Sequence, residues 1–263
     1  MNTLISFAKN TNILLQEVKN NVQIVGGCTQ IEEFPQRLVS TFGIKELSQI
    51  NRHERYIDIG PGVTLSDILA LGQNHIPQIL YEAITSIANP IIRNMATIGG
   101  NIFAQGNKHT LYAPLLALDT KLDFKNQYET KTISLSAFMN IPKGFYLANI
   151  RIPSTFADLY VFRRIGPEHS ITQQSASFAF FINTDNNCIT NIKLAFAGPI
   201  VFRSKELENI LVGRHLPLLR KEINQLLEMV NNEFNKTILD KMISDVLKQQ
   251  FLNLARYSFE QLT

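Results

Sequence analysis

Two short stretches hold the residues best placed to do chemistry, Val25-Gly26-Gly27-Cys28-Thr29 and Thr97-Ile98-Gly99-Gly100-Asn101. Each follows an apolar segment, sets two glycines side by side and flanks them with a hydroxyl and a further polar side chain. A Gly-Gly step opens positive φ and lets a ligand approach the amides without meeting a Cβ. Consecutive N–H groups then form a concave, positively polarised nest of the kind that suits a diphosphate. Two such nests could grip one long ligand. A single glycine pair is more simply a turn, and the spacing leaves turn and phosphate site both open. Neither stretch spells Gly-x-Gly-x-x-Gly between a strand and a helix, so the Rossmann fingerprint is absent.

Other reactive groups are sparse. Cys28 beside nest amides would gain thiolate character, but a small residue filling a serine-like slot is the simpler reading. Arg93 can pair with a phosphate, meet a partner protein or brace its own loop. The five histidines show no metal-ligand spacing, so no metal site is expected.

The elements around these stretches read as α/β alternation followed by strands and then helices. Ile13, Leu14, Leu15 and Val18 share a helix face, and a strand at Val22 to Val25 runs into Gly26-Gly27. A second strand, Tyr56 to Ile59, ends in Gly60-Pro61-Gly62, and Thr64 with Asp67 forms an N-cap pair for a helix over Leu65 to Leu71. Helices follow at Tyr81 to Ala88, stopped by Asn89-Pro90, and at Leu111 to Leu118, with Thr110 as its cap. A strand over Phe145 to Ile152 closes at Pro153, where we place a domain boundary. Beyond it lie three strands, Leu159 to Arg164, Ser175 to Ile182 and Ile189 to Phe196. Helices then cover Ser204 to Leu211, Leu216 to Val230 and Lys236 to Leu262, giving an α+β second domain.

Composition bounds the function classes. With 45% hydrophobic and 18% charged residues the chain is an ordinary globular protein. The net charge of +3 is spread along the chain, which gives a nucleic-acid partner little support. Two cysteines make no disulfide framework, so a reducing, cytoplasmic setting is expected. Met1 to Asn10 lacks the features of a secretory signal and no apolar run is long enough to span a membrane, so a soluble chain with no membrane role is expected.

Gly26-Gly27-Cys28-Thr29 and, above all, Ile92-Arg93-Asn94-Met95-Ala96-Thr97-Ile98-Gly99-Gly100-Asn101 resemble the two FAD motifs of the flavoprotein subunits of molybdenum hydroxylases of the xanthine dehydrogenase and carbon monoxide dehydrogenase type. The resemblance continues through Ala113-Pro114-Leu115-Leu116-Ala117-Leu118-Asp119 and Ile150-Arg151-Ile152-Pro153. It reaches Phe202-Arg203, Glu206 or Glu208, and Leu211-Val212-Gly213. It implies a two-lobed FAD-binding domain of the PCMH/vanillyl-alcohol-oxidase type over residues 1–153, with lobes of about 1–55 and 56–153. A smaller α+β domain with a three-stranded antiparallel sheet and helices then covers 154–263.

By the same resemblance FAD is held by Val25, Gly26, Gly27, Cys28, Thr29 and Gln30 on one side. Ile92, Asn94, Thr97, Ile98, Gly99, Gly100 and Asn101 hold it on the other, and Leu147 and Arg164 match positions near the flavin. Tyr81 and Tyr112 are aromatic candidates for flavin packing, although core packing is simpler. Thr110 stands where relatives often carry an aspartate, and a hydroxyl brings no charge. That departure, with the unusual Gln105-Gly106-Asn107-Lys108-His109, admits a flavin-weak scaffold as an alternative, which the intact Thr97 to Asn101 string opposes. The main implication is an oxidoreductase subunit without a catalytic acid or base. It would pass electrons from a [2Fe–2S] subunit to NAD+, with a molybdopterin-binding large subunit completing the complex. A subunit that reduces oxygen or another acceptor is the second alternative.

Overall fold

The computed structural model describes residues 3–20, 22–31, 33–104, 109–167, 170–238 and 243–263. The chain forms two units, the first from Met1–Pro77, Ile87–Ala104 and Leu118–Thr155, the second from Gln78–Ser86, Gln105–Ala117 and Phe156–Thr263.

The first unit opens with strand β1 (Leu4–Phe7), helix α1 (Thr11–Lys19), strand β2 (Gln23–Val25) and strand β3 (Arg37–Ser40). Asn10 starts α1 by accepting a hydrogen bond from the Ile13 amide. The helix turns Leu14 into a core with Val22, Val39, Ile44, Leu47 and Tyr146. The three strands are parallel in the order β1-β3-β2. β1 and β3 were not legible in the sequence, because each is four residues long and β1 exposes most of its side chains.

Strands β4 (Ile50–Arg52), β5 (Tyr56–Ile59), β6 (Lys121–Lys125), β7 (Thr130–Ser134) and β8 (Tyr146–Pro153) make an antiparallel sheet in the order β4-β5-β8-β6-β7. Its buried residues include Ile57, Ile59, Leu122, Phe124, Ile150 and Ile152. The alternate residues form a polar ladder. Arg151 on β8 donates from Nε to Asp58 on β5 at 2.9 Å, and Asp123 on β6 accepts from Thr132 at 2.6 Å and from Asn149 at 3.1 Å. Opposite charges facing each other across paired strands set the register.

Helix α2 (Leu65–Ala70) carries the expected capping box between Thr64 and Asp67. Two expectations are corrected in this unit. Asn89-Pro90 starts a helix rather than only stopping one: Asn89 accepts from the Ile92 amide and Pro90 takes the first position of α4 (Pro90–Arg93), where its missing N–H costs nothing. The second glycine pair is not a turn but lies inside helix α5 (Ile98–Ile102), capped by Thr97.

In the second unit, α3 (Gln78–Thr85) and α6 (Tyr112–Ala117) pack with strands β9 (Leu159–Ile165), β10 (Ala176–Asp185), β11 (Cys188–Ala197) and β12 (Val201–Arg203). The sheet has four strands in the order β12-β11-β10-β9, one more than expected, since β12 is only three residues long. Arg203 on β12 is buried and bonds Glu208 at 2.7 Å and the Leu116 carbonyl at 2.6 Å, tying β12 to helices α6 and α7 (Lys205–Leu211). The expected Leu216-to-Val230 helix starts only at Arg220 and runs on to Ile238 as α8 (Arg220–Ile238), while α9 (Asp245–Glu260) begins after its cap Ser244. Leu239 and Met242, placed by sequence on one continuous helix, lie outside the described residues.

Phe251 of α9 sits among Phe178, Phe196, Phe202 and Phe234, stacked on the last with ring centroids 4.2 Å apart. Truncating such a ring leaves a cavity the neighbours cannot fill. Phe251→Ala should therefore destabilise the chain by about 3–5 kcal/mol. Urea unfolding followed by far-ultraviolet circular dichroism checks this, and a loss below about 1 kcal/mol would mean that the cluster is not a packed core.

Candidate functional site

The two glycine pairs meet in the first unit. A Cβ built on Gly26 would lie 2.7 Å from the Thr97 hydroxyl oxygen, and one on Gly27 would lie 1.6 Å from the Met95 carbonyl oxygen. On Gly99 it would lie 2.7 Å from the carbonyl oxygen of Pro61. The bare backbone at Gly27 and Gly99 is therefore required by another stretch of the same chain, not only by a ligand. None of these glycines has positive φ. The left-handed residue is Cys28, at φ 56°, so the expectation that the glycines supply that conformation is corrected.

Hydrogen bonds and one packing contact join these stretches into a circuit. The Thr41 amide donates to the Val25 carbonyl at 2.9 Å, Ile44 to Thr41 at 3.2 Å and Leu47 to Ile44 at 3.1 Å. The Gly62 amide donates to the Leu47 carbonyl at 2.8 Å, and Gly99 donates to Pro61 at 3.0 Å. From Gly99 the chain runs back to Thr97, whose side chain lies against Gly26, next to Val25. Gly60-Pro61-Gly62, read from sequence only as the end of a strand, is a working part of this circuit. Its signal in the sequence was the pair of glycines around a proline at the end of β5.

The amides of the two motifs differ in state. On α5, Ile98 donates to Val63 at 3.1 Å, Gly99 to Pro61 at 3.0 Å, Gly100 to the Thr97 hydroxyl at 3.1 Å and Asn101 to the Thr97 carbonyl at 3.0 Å. In the first loop, the amides of Gly26, Gly27, Cys28 and Thr29 donate to no group among the described residues. Four successive donors, two of them without a Cβ and one left-handed, make a loop that fits an anion such as a diphosphate. The second motif offers no matching set, so two symmetrical nests are not what the structure holds.

Cys28 is exposed, and its thiol bonds weakly to the Gly26 carbonyl at 3.5 Å. Desolvation pushes its pKa above the ordinary cysteine value, opposite to the thiolate reading. Ile92 anchors the approach to the second motif by accepting from Ala96 at 2.7 Å, while Asn94 is an exposed helix end. Arg93 braces its own loop, donating to the carbonyls of Ile87 at 2.8 Å and Ala88 at 3.1 Å. Gln30 is half-buried on the first loop and Leu147 is buried on β8.

Thr110 and Arg164 belong to the second unit. The Thr110 hydroxyl, expected to cap α6, makes no hydrogen bond among the described residues. Arg164 donates to the carbonyl of Pro167 and to that of Ser170 at 2.8 Å, so it braces the segment that follows β9. Tyr112 is held by burial above the usual phenol range and pairs with His109 at 5.3 Å between rings. Tyr81 lies on α3, half-buried, and its carbonyl accepts from Thr85. Of the unusual stretch Gln105 to His109, residues 105–108 lie outside the described residues.

Residues 7–155 match the family described as the FAD binding domain in molybdopterin dehydrogenase. The match covers more than half of the 263 residues, and the chain belongs to this family. Indole-3-acetaldehyde oxidase of Zea mays is 26% identical over 206 residues, which are 72% of this chain and 15% of that protein. The chain thus spans about 15% of the length of such plant oxidases. The glyceraldehyde dehydrogenase medium chain of Sulfolobus acidocaldarius is 26% identical over 69% of this chain and 68% of its own length.

Among solved structures, a reconstituted carbon monoxide dehydrogenase from Oligotropha carboxidovorans matches with a TM-score of 0.81 at 16% identity, over 100% of this chain and 96% of that one. Quinoline 2-oxidoreductase from Pseudomonas putida 86 matches with a TM-score of 0.75 at 14% identity, over 100% and 95%. These likenesses establish an α+β fold shared with such chains.

Two outcomes follow from the local geometry. Gly27→Ala forces a Cβ into the Met95 carbonyl at 1.6 Å and should lower the melting temperature, whereas at Gly100 the new Cβ meets only the Thr97 hydroxyl at 3.0 Å and the helix favours alanine by about 1 kcal/mol, so Gly100→Ala should shift it far less. Equal melting shifts would contradict the close approach. Because only the thiolate attacks, a raised pKa makes Cys28 slower than free cysteine at pH 7, with its rate still climbing where free cysteine has levelled off. Alkylation by iodoacetamide across pH in a Cys188→Ser background measures this.

Proposed function

We propose that the chain is the FAD-carrying electron-transfer subunit of a molybdenum hydroxylase. The observation that carries this is the loop of unbonded amides at Gly26 to Thr29, set against Thr97 and Met95 inside the span that matches the family. In this reading the four amides hold the diphosphate, and Val25 and Thr41 hold the loop at the end of β2. Ile92 and Asn94 shape the approach to Thr97, and the remaining second-motif residues Ile98 to Asn101 form the other wall. Gln30 and Leu147 are the further cofactor contacts within the first unit. The four amides need no proton transfer to act, which agrees with a site that has no catalytic acid or base.

Bound FAD supplies exchange of electron pairs with a nicotinamide and of single electrons with a one-electron carrier. An iron–sulfur cluster of the common kind takes four cysteine ligands, and these 263 residues contain two cysteines. The [2Fe–2S] centre therefore lies outside them, and we assign the molybdopterin site to a further subunit, a reading the medium-chain name of the Sulfolobus relative supports. We assign NAD+ as the acceptor and the cytoplasm as the location. No helix among the described residues is long and apolar enough to cross a membrane. A second reading, in which oxygen takes the electrons, is supported by the oxidases among the relatives.

Titrating the purified chain with FAD tests the first step. Bound flavin should show a structured visible spectrum and quenched fluorescence in the wild type and neither in Gly27→Ala. A wild-type chain that takes up no FAD would leave the flavin-free scaffold reading in its place. Mixing the reduced loaded chain with NAD+ or with oxygen, and following flavin reoxidation, then separates the two acceptors.

A further inference from the structure

Strand β9 is the outer strand of the second unit's sheet, paired with β10 on one side and, among the described residues, with no strand on the other. An unpaired edge presents a row of N–H and C=O groups that another chain can bond. A groove of about 360 Å³ follows that edge. Its floor is the run from Ala157 to Arg163, and its walls are Gln78 and Glu82 of α3 and Tyr257 and Gln261 near the end of α9. The walls stand on opposite faces of the strand. Val161 and Ile165 pack into the core that holds Phe251 and Phe259 of α9, whereas Tyr160 reaches α3 and donates to Glu82 at 2.6 Å.

The Phe162 carbonyl shows which backbone groups face the groove. It accepts from the Arg163 guanidinium at 2.7 Å, a place that a ladder bond to β10 would close, so it is turned outward. In an antiparallel ladder the N–H and C=O of one residue face the same neighbour, and successive residues alternate. The open edge therefore presents the main-chain groups of Tyr160 and Phe162, and Arg163 covers one of them.

We propose that this edge is a docking slot for one extended segment of a partner chain, which adds as a fifth strand antiparallel to β9 between α3 and α9. Main-chain hydrogen bonds supply the affinity in such strand addition, and alternate side chains supply the selectivity. The direction follows from the sheet, whose pairs are all antiparallel. A second copy of this chain is not the occupant, because its own β9 lies between the same two helices and the walls would meet before the edges. Charge sets the chemistry of the segment. The residue opposite Tyr160 lies on the α3 side and is basic, to meet Glu82. The residue opposite Arg163 lies on the other face and is acidic, to meet the guanidinium that the incoming strand displaces from Phe162. Read from its N-terminus, the segment carries an acidic residue and, three positions on, a basic one. Strand addition here is independent of whether the first unit holds FAD.

The probe is the end-blocked, fluorescently labelled peptide Thr-Val-Glu-Val-Thr-Lys-Val-Thr, titrated against the full chain and followed by anisotropy. It should bind with a Kd below about 1 mM, and no binding at that concentration overturns the proposal. N-methylating its lysine and the valine two residues before it removes the amides that meet Phe162 and Tyr160, and should weaken binding at least about tenfold. N-methylating its glutamate and the threonine two residues after it should leave binding nearly unchanged. Equal losses for the two methylated peptides overturn the proposal. Glu82→Lys should weaken the first peptide about threefold or more, and changing the peptide's lysine to glutamate should restore binding to that variant while weakening it to the wild type. Absence of this crossover also overturns the proposal.

Discussion

The first unit depends on one close approach, the packing of Gly26-Gly27 against Met95 and Thr97. At Gly27 the neighbouring carbonyl oxygen occupies the space of a Cβ, so no other residue fits without moving the backbone. That contact joins a parallel sheet, whose strand β2 ends at Val25, to a segment some seventy residues later in sequence. The amides of the first loop donate to no group among the described residues. The loop is held from outside by packing and by the Val25 carbonyl, which accepts from Thr41, so its own N–H groups are not needed for its conformation.

The antiparallel sheet serves the same end. β5 delivers Gly60-Pro61-Gly62 to the carbonyl of Leu47 and to the amide of Gly99, and β5 is locked to β8 by Arg151 and Asp58. Arg151 lies over the Tyr56 ring at 4.6 Å, and His53 stacks on that ring from 4.4 Å. A charged side chain in the middle of the sheet is tolerated because its partners face it at hydrogen-bonding distance. The polar ladder thus anchors the strand whose end carries Gly60-Pro61-Gly62.

The second unit solves a different problem. Its strand β10 is buried on both faces, with Phe178 and Phe180 turned toward α9 and α6 packed on the same sheet. Arg203 and Glu208, which drew attention by resemblance, are buried partners linking β12, α6 and α7. A groove of about 360 Å³ runs along β9, lined by Glu82, Asp158, Tyr160 and Arg163 among others. Tyr160 donates to Glu82 at 2.6 Å, and its phenol is pushed up to about 12 by burial and that carboxylate. Asp158 accepts from Thr184 at 2.7 Å.

The sequence by itself determined the long, periodic elements and the identity of the chemical loops. Tyr56 to Ile59, the Thr64–Asp67 capping box and strands β9, β10 and β11 are legible because period and cap chemistry are local. So were the two glycine motifs, whose residue order is specific enough to carry the family. Tertiary structure alone decided that β1, β3 and β12 are strands, since three or four residues gain their hydrogen bonds only from distant partners. It also decided which glycine pair keeps its amides open. Nothing in Gly26-Gly27 or Gly99-Gly100 states whether the space beside a missing Cβ is filled by the chain or left for a ligand. That depends on which carbonyls, here those of Met95, Pro61 and Val63, the rest of the fold brings within reach.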